Sequence, residues 1–166
     1  RSYDINILGS ISIKGTTVQR RKGNPQPRIA ECYSGLINSV GLENPGMDNV
    51  IQKELKDLET IYRKPVIANI SGFSVEEYVT LAREMDQVDN VGIIEVNISC
   101  PNVDHGGLAF GTNADNVREL TKKIKEVTTK PVYMKLSPNV TDIKEIARAA
   151  QEGGADGISL INTLMG

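Results

Sequence analysis

Short β-rich runs recur along the chain, and each ends in or beside a polar side chain. The runs cover residues 11–14, 65–69, 91–96, 132–135 and 158–162, and their polar ends are Lys14, Asn69, Asn97, Lys135 and Asn162. Parallel strands buried on both faces are nearly continuous apolar runs, and in β/α barrels the chemistry collects at their C-terminal ends. The pattern therefore predicts five parallel strands that deliver polar side chains to one rim.

Helical periodicity separates these runs. Ser74 with Glu77 predicts a capping box, a second helix opens at Asn113, and Gly153-Gly154 ends a third. A fourth follows Pro45-Gly46. The apolar positions that define the four helices, three or four residues apart, are Val75, Tyr78, Val79, Ala82; Val117, Leu120, Ile124, Val127; Ile143, Ile146, Ala147, Ala150; and Ile51, Leu55, Leu58, Ile61. Strands that alternate with helices predict a parallel sheet covered by helices.

The expected fold class is α/β, and the expected architecture is a TIM (β/α)8 barrel of which this chain holds about five of the eight strands. A complete barrel takes roughly 250 residues, whereas this chain has 166. It starts without Met and stops at Gly166 directly after a predicted strand. We therefore expect residues 1–166 to be the central part of one barrel domain, with further strands before and after it.

Charge and composition exclude several classes of partner. The net charge is −2, and the basic residues are scattered except for Arg20-Arg21-Lys22, so a nucleic-acid surface is not expected. No run approaches the ~20 apolar residues of a membrane span, and no signal peptide is visible. Cys32 and Cys100 lack paired spacing, which fits a reducing cytoplasm. With His105 as the single histidine, no metal site is expected.

The segment around Cys100 gives the strongest indication of catalysis. A single cysteine is usually a small buried hydrophobe. Here, however, Pro101 ends the strand, Asn97 and Asn102 flank the thiol, and a glycine-containing segment follows with Gly106, Gly107 and Gly111. A thiol can act as general base for a carbon-bound proton when a loop closes over the substrate. Cys100 is therefore the candidate catalytic residue.

The lysines and asparagines at the strand ends point to an anionic, polar ligand. Lys14 and Lys135 end apolar strands, where a cation favours either a substrate carboxylate or the anionic ring of a reduced flavin. Asn69, Asn97 and Asn162 are either turn formers or partners for the alternating N–H and C=O edge of a flavin or pyrimidine. Residues 35–46 are expected to form an irregular loop that leads to a helix, and residues 23–28 a rigid connector, subunit contact or catalytic loop.

Five motifs in order carry a family resemblance. They are Lys14-Gly15-Thr16-Thr17, Gly23-Asn24-Pro25, Asn38-Ser39-Val40-Gly41-Leu42, Asn97-Ile98-Ser99-Cys100-Pro101-Asn102 and Lys135-Leu136-Ser137-Pro138. With them the chain resembles the dihydroorotate dehydrogenases from end to end. Cys100 in place of a serine resembles the soluble class 1 enzymes, and Gly106-Gly107 with Phe110-Gly111 is similar to the NAD-linked type 1B.

The resemblance implies a role for each matching residue. Cys100 would remove the C5 proton of dihydroorotate while hydride leaves C6 for N5 of FMN. The residues implied to bind FMN are Lys14, Gly15, Asn69, Asn97, Lys135 and Ile161. Those implied to bind dihydroorotate or orotate are Lys14, Asn38, Val40, Gly41, Leu42, Asn97, Asn102, Asn162 and Thr163.

The resemblance also implies partners and missing parts. A homodimer would join an electron-transfer subunit carrying FAD and an iron–sulfur cluster, giving a heterotetramer that passes electrons to NAD in pyrimidine (UMP) synthesis. The first barrel strand would precede Arg1, and the last two would follow Gly166. Two alternatives stay open: a dihydropyrimidine dehydrogenase-like flavin barrel that reduces uracil or thymine, and a non-catalytic fragment that associates through exposed strand edges.

Overall fold

The computed structural model describes residues 3–99 and 110–165. Its centre is a parallel sheet with helices on one face. The strands are β1 (Ile29–Cys32), β2 (Gly35–Asn38), β3 (Val66–Ile70), β4 (Val91–Asn97), β5 (Val132–Leu136) and β6 (Gly157–Leu160). The helices are α1 (Met47–Asn49), α2 (Leu55–Glu59), α3 (Val75–Asp86), α4 (Ala114–Lys125) and α5 (Ile143–Glu152). A π-helical turn, Val50–Glu54, joins α1 to α2, and 3-10 turns lie at Ile5–Ile7 and Phe110–Thr112.

The central sheet follows chain order, β3-β4-β5-β6, with every pair parallel. Helix α3 packs on β3 and β4, whereas α4 and α5 pack on β5 and on each other. The buried apolar residues of the strands include Val66, Ala68, Ile70, Ile94, Val96, Val132, Met134 and Leu136, and those of the helices include Tyr78, Leu81, Met85, Leu120, Ile124, Ile146 and Ala149. The predicted α/β class with a helix-covered parallel sheet is confirmed.

Two of the predicted helix starts are also confirmed, because the side chains of Ser74 and Asn113 cap them. Asn113 Oδ1 accepts from the N–H of Asn116 at 3.0 Å, and Ser74 Oγ accepts from the N–H of Glu77 at 3.2 Å. The Glu77 carboxylate reaches one residue further back than in the expected capping box, to the N–H of Phe73 at 2.7 Å. Among the described helices, none is both long enough and apolar enough to cross a membrane.

The first predicted strand, residues 11–14, is an irregular edge rather than a regular strand. Ser12 pairs with Ile67 and Thr16 with Ile70, both in the parallel sense, on the free edge of β3. From the first pair to the second, the chain advances four residues, from Ser12 to Thr16, but β3 advances only three, from Ile67 to Ile70. The extra residue shifts the alternation by one position, so that Ser12 and Thr16 face opposite sides of the sheet.

Residues 29–38 form an antiparallel hairpin, whereas we expected its second strand, residues 35–38, to belong to an irregular loop. Ile29 pairs with Asn38, Cys32 pairs with Gly35, and every residue of β1 and β2 is exposed. Because neither face is buried, no hydrophobic alternation marks these strands in the sequence. Several predicted boundaries also move: β6 ends at Leu160 instead of residue 162, α2 ends at Glu59, before Ile61, and α4 ends at Lys125, before Val127.

Asp86 ties α3 to the connection that enters β5. Its Oδ1 accepts from Thr128 Oγ1 at 2.6 Å and from the N–H groups of Thr129 and Lys130 at 2.8 and 3.1 Å. Desolvation by burial opposes the charged form, but these hydrogen bonds together outweigh it, so the pKa of Asp86 lies below its ordinary value. The carboxylate therefore stabilises the end of the sheet opposite the strand ends that carry Asn97 and Lys135.

We expect Asp86→Ala to lower the free energy of unfolding by about 2 kcal/mol at pH 7, because it leaves several donors unpaired. A carboxyl whose pKa is lowered on folding contributes fully above its unfolded pKa, and the contribution is lost as pH falls through the folded pKa. Denaturant unfolding at pH 7 and in acid, below about pH 4, tests this. The exposed Asp89→Ala is the control; an equal loss in both variants, or a loss unchanged in acid, contradicts the prediction.

Candidate active site

The face of the sheet opposite the helices carries polar side chains towards the C-terminal ends of the strands. Asn69 is paired in register with Glu95, Asn97 with Lys135, and Lys135 with Ser159. Directly paired residues of neighbouring strands, and alternate residues within one strand, share a face. The structure therefore brings Asn69, Asn97 and Lys135 together on one polar face, with Glu95 and Ser159 among them.

These positions are staggered, whereas the sequence suggested equivalent strand ends. Asn69 lies one step below Asn97, since its partner is Glu95. Asn162 follows the end of β6, where its backbone N–H donates to the carbonyl of Leu136 at 3.1 Å and its Nδ2 to the carbonyl of Ser99 at 3.4 Å. Asn162 thus links the chain after β6 to the chain after β4, two strands away.

Gly15 leaves a small polar space beside Asn69. An ideal Cβ at Gly15 would lie 2.9 Å from Asn69 Oδ1, 3.1 Å from Leu42 Cδ1 and 3.6 Å from Ser71 Oγ. Ser71 is fully buried, and its hydroxyl has no hydrogen-bond partner among the described residues. Asn69 Oδ1 likewise accepts no hydrogen bond from the described residues. These two groups, beside a residue without a side chain, fit the N–H and C=O edge of a flavin ring.

Asn69 is held in one orientation by Glu95. Its Nδ2 donates to Glu95 Oε2 at 2.5 Å. A carboxylate only accepts hydrogen bonds, so Nδ2 faces Glu95 and Oδ1 is left on the side of Gly15.

Two lysines of the predicted site form no ion pair with the described part of the chain. Lys14 is exposed and Lys135 is partly buried. The ion pairs of the described residues lie elsewhere, and neither lysine takes part in one. Uncompensated positive charge at the strand ends favours an anionic group there.

The loop that contains Val40, Gly41 and Leu42 is fixed by two asparagines. Asn24 binds the carbonyl of Val40 through its N–H at 3.0 Å, and Asn44 Nδ2 binds the carbonyl of Leu42 at 2.9 Å. Gly41 and Leu42 have positive φ values of 76° and 57°, a conformation that is uncommon for leucine. The two asparagines thereby keep the Leu42 side chain against Gly15.

Tyr78 and Phe110 fix the end of β4. The buried Tyr78 hydroxyl donates to the carbonyl of Asn97 at 2.8 Å, and its ring meets that of Phe110 edge to face, with centroids 5.6 Å apart. Asn97 Oδ1 accepts from the N–H of Ser99 at 3.2 Å. The strand end that leads to Cys100 is therefore anchored from α3. Cys100 and Asn102, like His105 and Gly106-Gly107, lie outside the described residues.

Three predicted site residues are not joined to this face by the described hydrogen bonds. Asn38 is exposed at the end of β2, Ile161 is 45% exposed, and the carbonyl of Thr163 accepts from Asn139 Nδ2 at 3.3 Å. Sequence reasoning in turn assigned no site role to four residues that the structure places beside these groups: Glu95, Ser71, Tyr78 and Asn44. Glu95 had a signal, because it is a charged residue inside an apolar strand.

Metal ligation has no support within residues 3–99 and 110–165. No three His, Cys, Asp or Glu side chains in that part of the chain lie close enough to hold a metal ion.

The fold and the polar face together define a β/α protein with a candidate site at the C-terminal ends of its parallel strands. The family model described as "Dihydroorotate dehydrogenase" matches residues 1–166, and the chain belongs to this family. The expected resemblance is thus confirmed.

Curated relatives agree with this assignment. The chain is 55% identical over 164 residues to the "Dihydroorotate dehydrogenase B (NAD(+)), catalytic subunit" of Halalkalibacterium halodurans, covering 99% of this chain and 53% of that protein. The protein of the same name from Bacillus cytotoxicus is 54% identical, with the same coverage. The chain therefore spans about half the length of the curated relatives it matches.

A solved structure resembles the fold alone. It is the carboxyl transferase domain from Rhizobium etli pyruvate carboxylase with pyruvate and biocytin, at a TM-score of 0.51 and 18% identity. The likeness covers 65% of this chain and 18% of that one.

Proposed function

We propose that the full-length protein carrying this sequence is an FMN-dependent dihydroorotate dehydrogenase that oxidises dihydroorotate to orotate in pyrimidine synthesis. One observation carries the proposal: family membership coincides with a polar face that holds Gly15, Asn69, Asn97 and Lys135 at the strand ends. The similarity to catalytic subunits of the NAD-linked type supports that type, and we place the protein in the cytoplasm.

We further propose that residues 1–166 are the central part of a single β/α barrel that binds FMN. The strands follow one another in chain order, the described helices cover one face, and the other face is polar, as in the wall of a barrel. The first strand would precede this region and the last two would follow it, in keeping with relatives about twice as long.

The residues of the polar face suit FMN. Gly15 would let the ring approach Asn69 and Ser71, and Lys135 would offset negative charge on its reduced form. When bound, FMN supplies the acceptor for the two electrons that leave the substrate as hydride. Lys14, Asn97 and Ile161 complete the proposed set of residues that bind the flavin.

For the substrate, Cys100 would take the C5 proton of dihydroorotate on its sulfur as the C6–H bond breaks and the C5–C6 double bond forms. Lys14 would face the substrate carboxylate, and the fixed backbone of the loop from residue 38 to 42 would form one wall of the pocket. The carboxamides implied to hold the pyrimidine ring are Asn38, Asn97, Asn102 and Asn162, with Thr163 beside them.

The NAD-linked type implies a partner subunit that transfers electrons. The relatives are named catalytic subunits of an NAD(+) enzyme. We therefore propose a homodimer of this chain joined to a subunit that carries FAD and an iron–sulfur cluster, since the sequence has only two cysteines. Copurification of such a subunit supports the NAD-linked type, whereas direct reduction of fumarate points to type 1A.

The visible spectrum of the purified full-length protein tests the function. We expect a flavin band that anaerobic dihydroorotate bleaches, because hydride transfer reduces the ring. Uracil reduction is the comparison reaction, since it would indicate a dihydropyrimidine dehydrogenase. A flavin band that dihydroorotate leaves unchanged, or a protein that binds no flavin, would refute the proposal.

A further inference from the structure

Glu95 is a carboxylate at the centre of β4, on the polar face of the sheet. Its neighbours in register are Asn69 on β3 and Tyr133 on β5. Among the described residues, its side chain makes one hydrogen bond, to Asn69 Nδ2 at 2.5 Å. A charged group in a strand costs desolvation that an apolar side chain would avoid. The presence of Glu95 at this position is explained if its carboxylate orients the Asn69 carboxamide.

Glu95 can orient Asn69 because a carboxylate and a carboxamide differ in what they donate and accept. A carboxamide has two orientations that differ by exchange of its oxygen and nitrogen, and most surroundings allow both. A carboxylate accepts but does not donate, so Glu95 permits one orientation. That orientation leaves Asn69 Oδ1 beside Gly15, and Oδ1 accepts no hydrogen bond from the described residues.

We propose that Glu95 is a positioning residue, which fixes the Asn69 carboxamide so that Oδ1 is presented as an acceptor to an N–H of the flavin ring. The inference rests on the proposed function. Its basis is the pairing of Glu95 with Asn69 and the proximity of Oδ1 to the side chain that Gly15 lacks. With glutamine at position 95, a donor would stand beside Asn69, and both orientations of the carboxamide would form.

The test compares FMN binding by full-length apoproteins. We expect Glu95→Gln to raise the FMN dissociation constant roughly three- to tenfold, the worth of one misoriented hydrogen bond. We also expect a shift of the flavin absorption band, because the bond to the ring is changed. Binding is measured by quenching of FMN fluorescence on titration, without turnover. Glu119→Gln, on the exposed face of α4, is the matched control and should bind FMN like the wild type.

A double-mutant cycle separates positioning from a merely structural effect. If Glu95 acts through Asn69, Glu95→Gln has no further effect on FMN affinity once Asn69 is alanine. An effect that persists in the Asn69→Ala background overturns the inference. Glu95→Asp, which keeps the charge but shortens the reach, should weaken binding in the same way and replaces Glu95→Gln if that variant does not fold.

The result for the wild type distinguishes a failure of the role of Glu95 from a failure of the proposed function. If the wild type binds FMN and is bleached by dihydroorotate while Glu95→Gln matches it in affinity and spectrum, the role of Glu95 is wrong and the proposed function stands. If the wild type binds no FMN, the proposed function fails, and the role of Glu95 fails with it.

Discussion

Replacing Cys100 by alanine is expected to slow oxidation of dihydroorotate by the full-length enzyme by roughly 10²- to 10⁴-fold. The C5 proton of dihydroorotate is weakly acidic, and alanine offers no group to accept it as hydride leaves C6. FMN binding should be retained, because the residues around Gly15 and Asn69 are untouched. The expected pattern is therefore a yellow protein whose flavin dihydroorotate bleaches slowly.

Stopped-flow bleaching under anaerobic conditions measures this step directly. Cys32→Ala is the matched control, since Cys32 is exposed on the β1–β2 hairpin and lies outside the proposed site. It should bleach at the wild-type rate. Equal rates for Cys100→Ala and the wild type would remove Cys100 from the reaction, and an equal loss in both variants would indicate damage unrelated to the base.

The second large effect is expected for Lys135→Ala. Lys135 lies next to Asn97 on the polar face, and no carboxylate of the described residues forms an ion pair with it. In the proposed enzyme its charge would therefore be available to the negative charge that develops on the flavin ring during reduction. Loss of such a group typically costs about 10²- to 10³-fold in rate, so we expect flavin reduction to slow by at least 10²-fold.

Flavin reduction by dihydroorotate and the flavin midpoint potential together test the role of Lys135. The potential should fall in Lys135→Ala, because the reduced anion loses its counter-charge, and Lys135→Arg should restore part of it. Lys122→Ala, on the surface of α4, is the control. A slow Lys135→Ala variant with an unchanged potential would show that Lys135 acts on the substrate instead of the flavin.

The helices and the central strands could be predicted because burial marks them in the sequence. Ser74 and Asn113 predicted the starts of α3 and α4, and both side chains cap these helices as expected. The β1–β2 hairpin could not be predicted, since both of its faces are exposed, and its apolar residues, Ile29 and Leu36 among them, are exposed as well. Apolar periodicity reports contact with a core, and this hairpin has none.

The sequence predicted only part of the site, because residue type and strand position are visible in it, whereas register and distant contacts are not. Residue type and strand-end position identified Asn69, Asn97 and Lys135, which do share a face. The positions of two residues relative to each other along neighbouring strands depend on the register, which cannot be read from one sequence by pattern alone. The offset of Asn69 from Asn97 was therefore missed. Ser71 and Tyr78 were missed as site residues because their roles depend on contacts between distant segments.

The extra residue between Ser12 and Thr16 has a consequence for the evolution of chain length. Three residues, Ile13, Lys14 and Gly15, lie between the two pairs, opposite only two residues of β3. Removing one of them would restore regular pairing and leave Thr16 opposite Ile70, but the two remaining positions could not keep the core contact of Ile13, the exposed Lys14 and Gly15 beside Asn69 together. We therefore expect insertions and deletions among homologues to be absent from residues 12–16 and to concentrate in the exposed hairpin, where no inward-facing set has to be preserved.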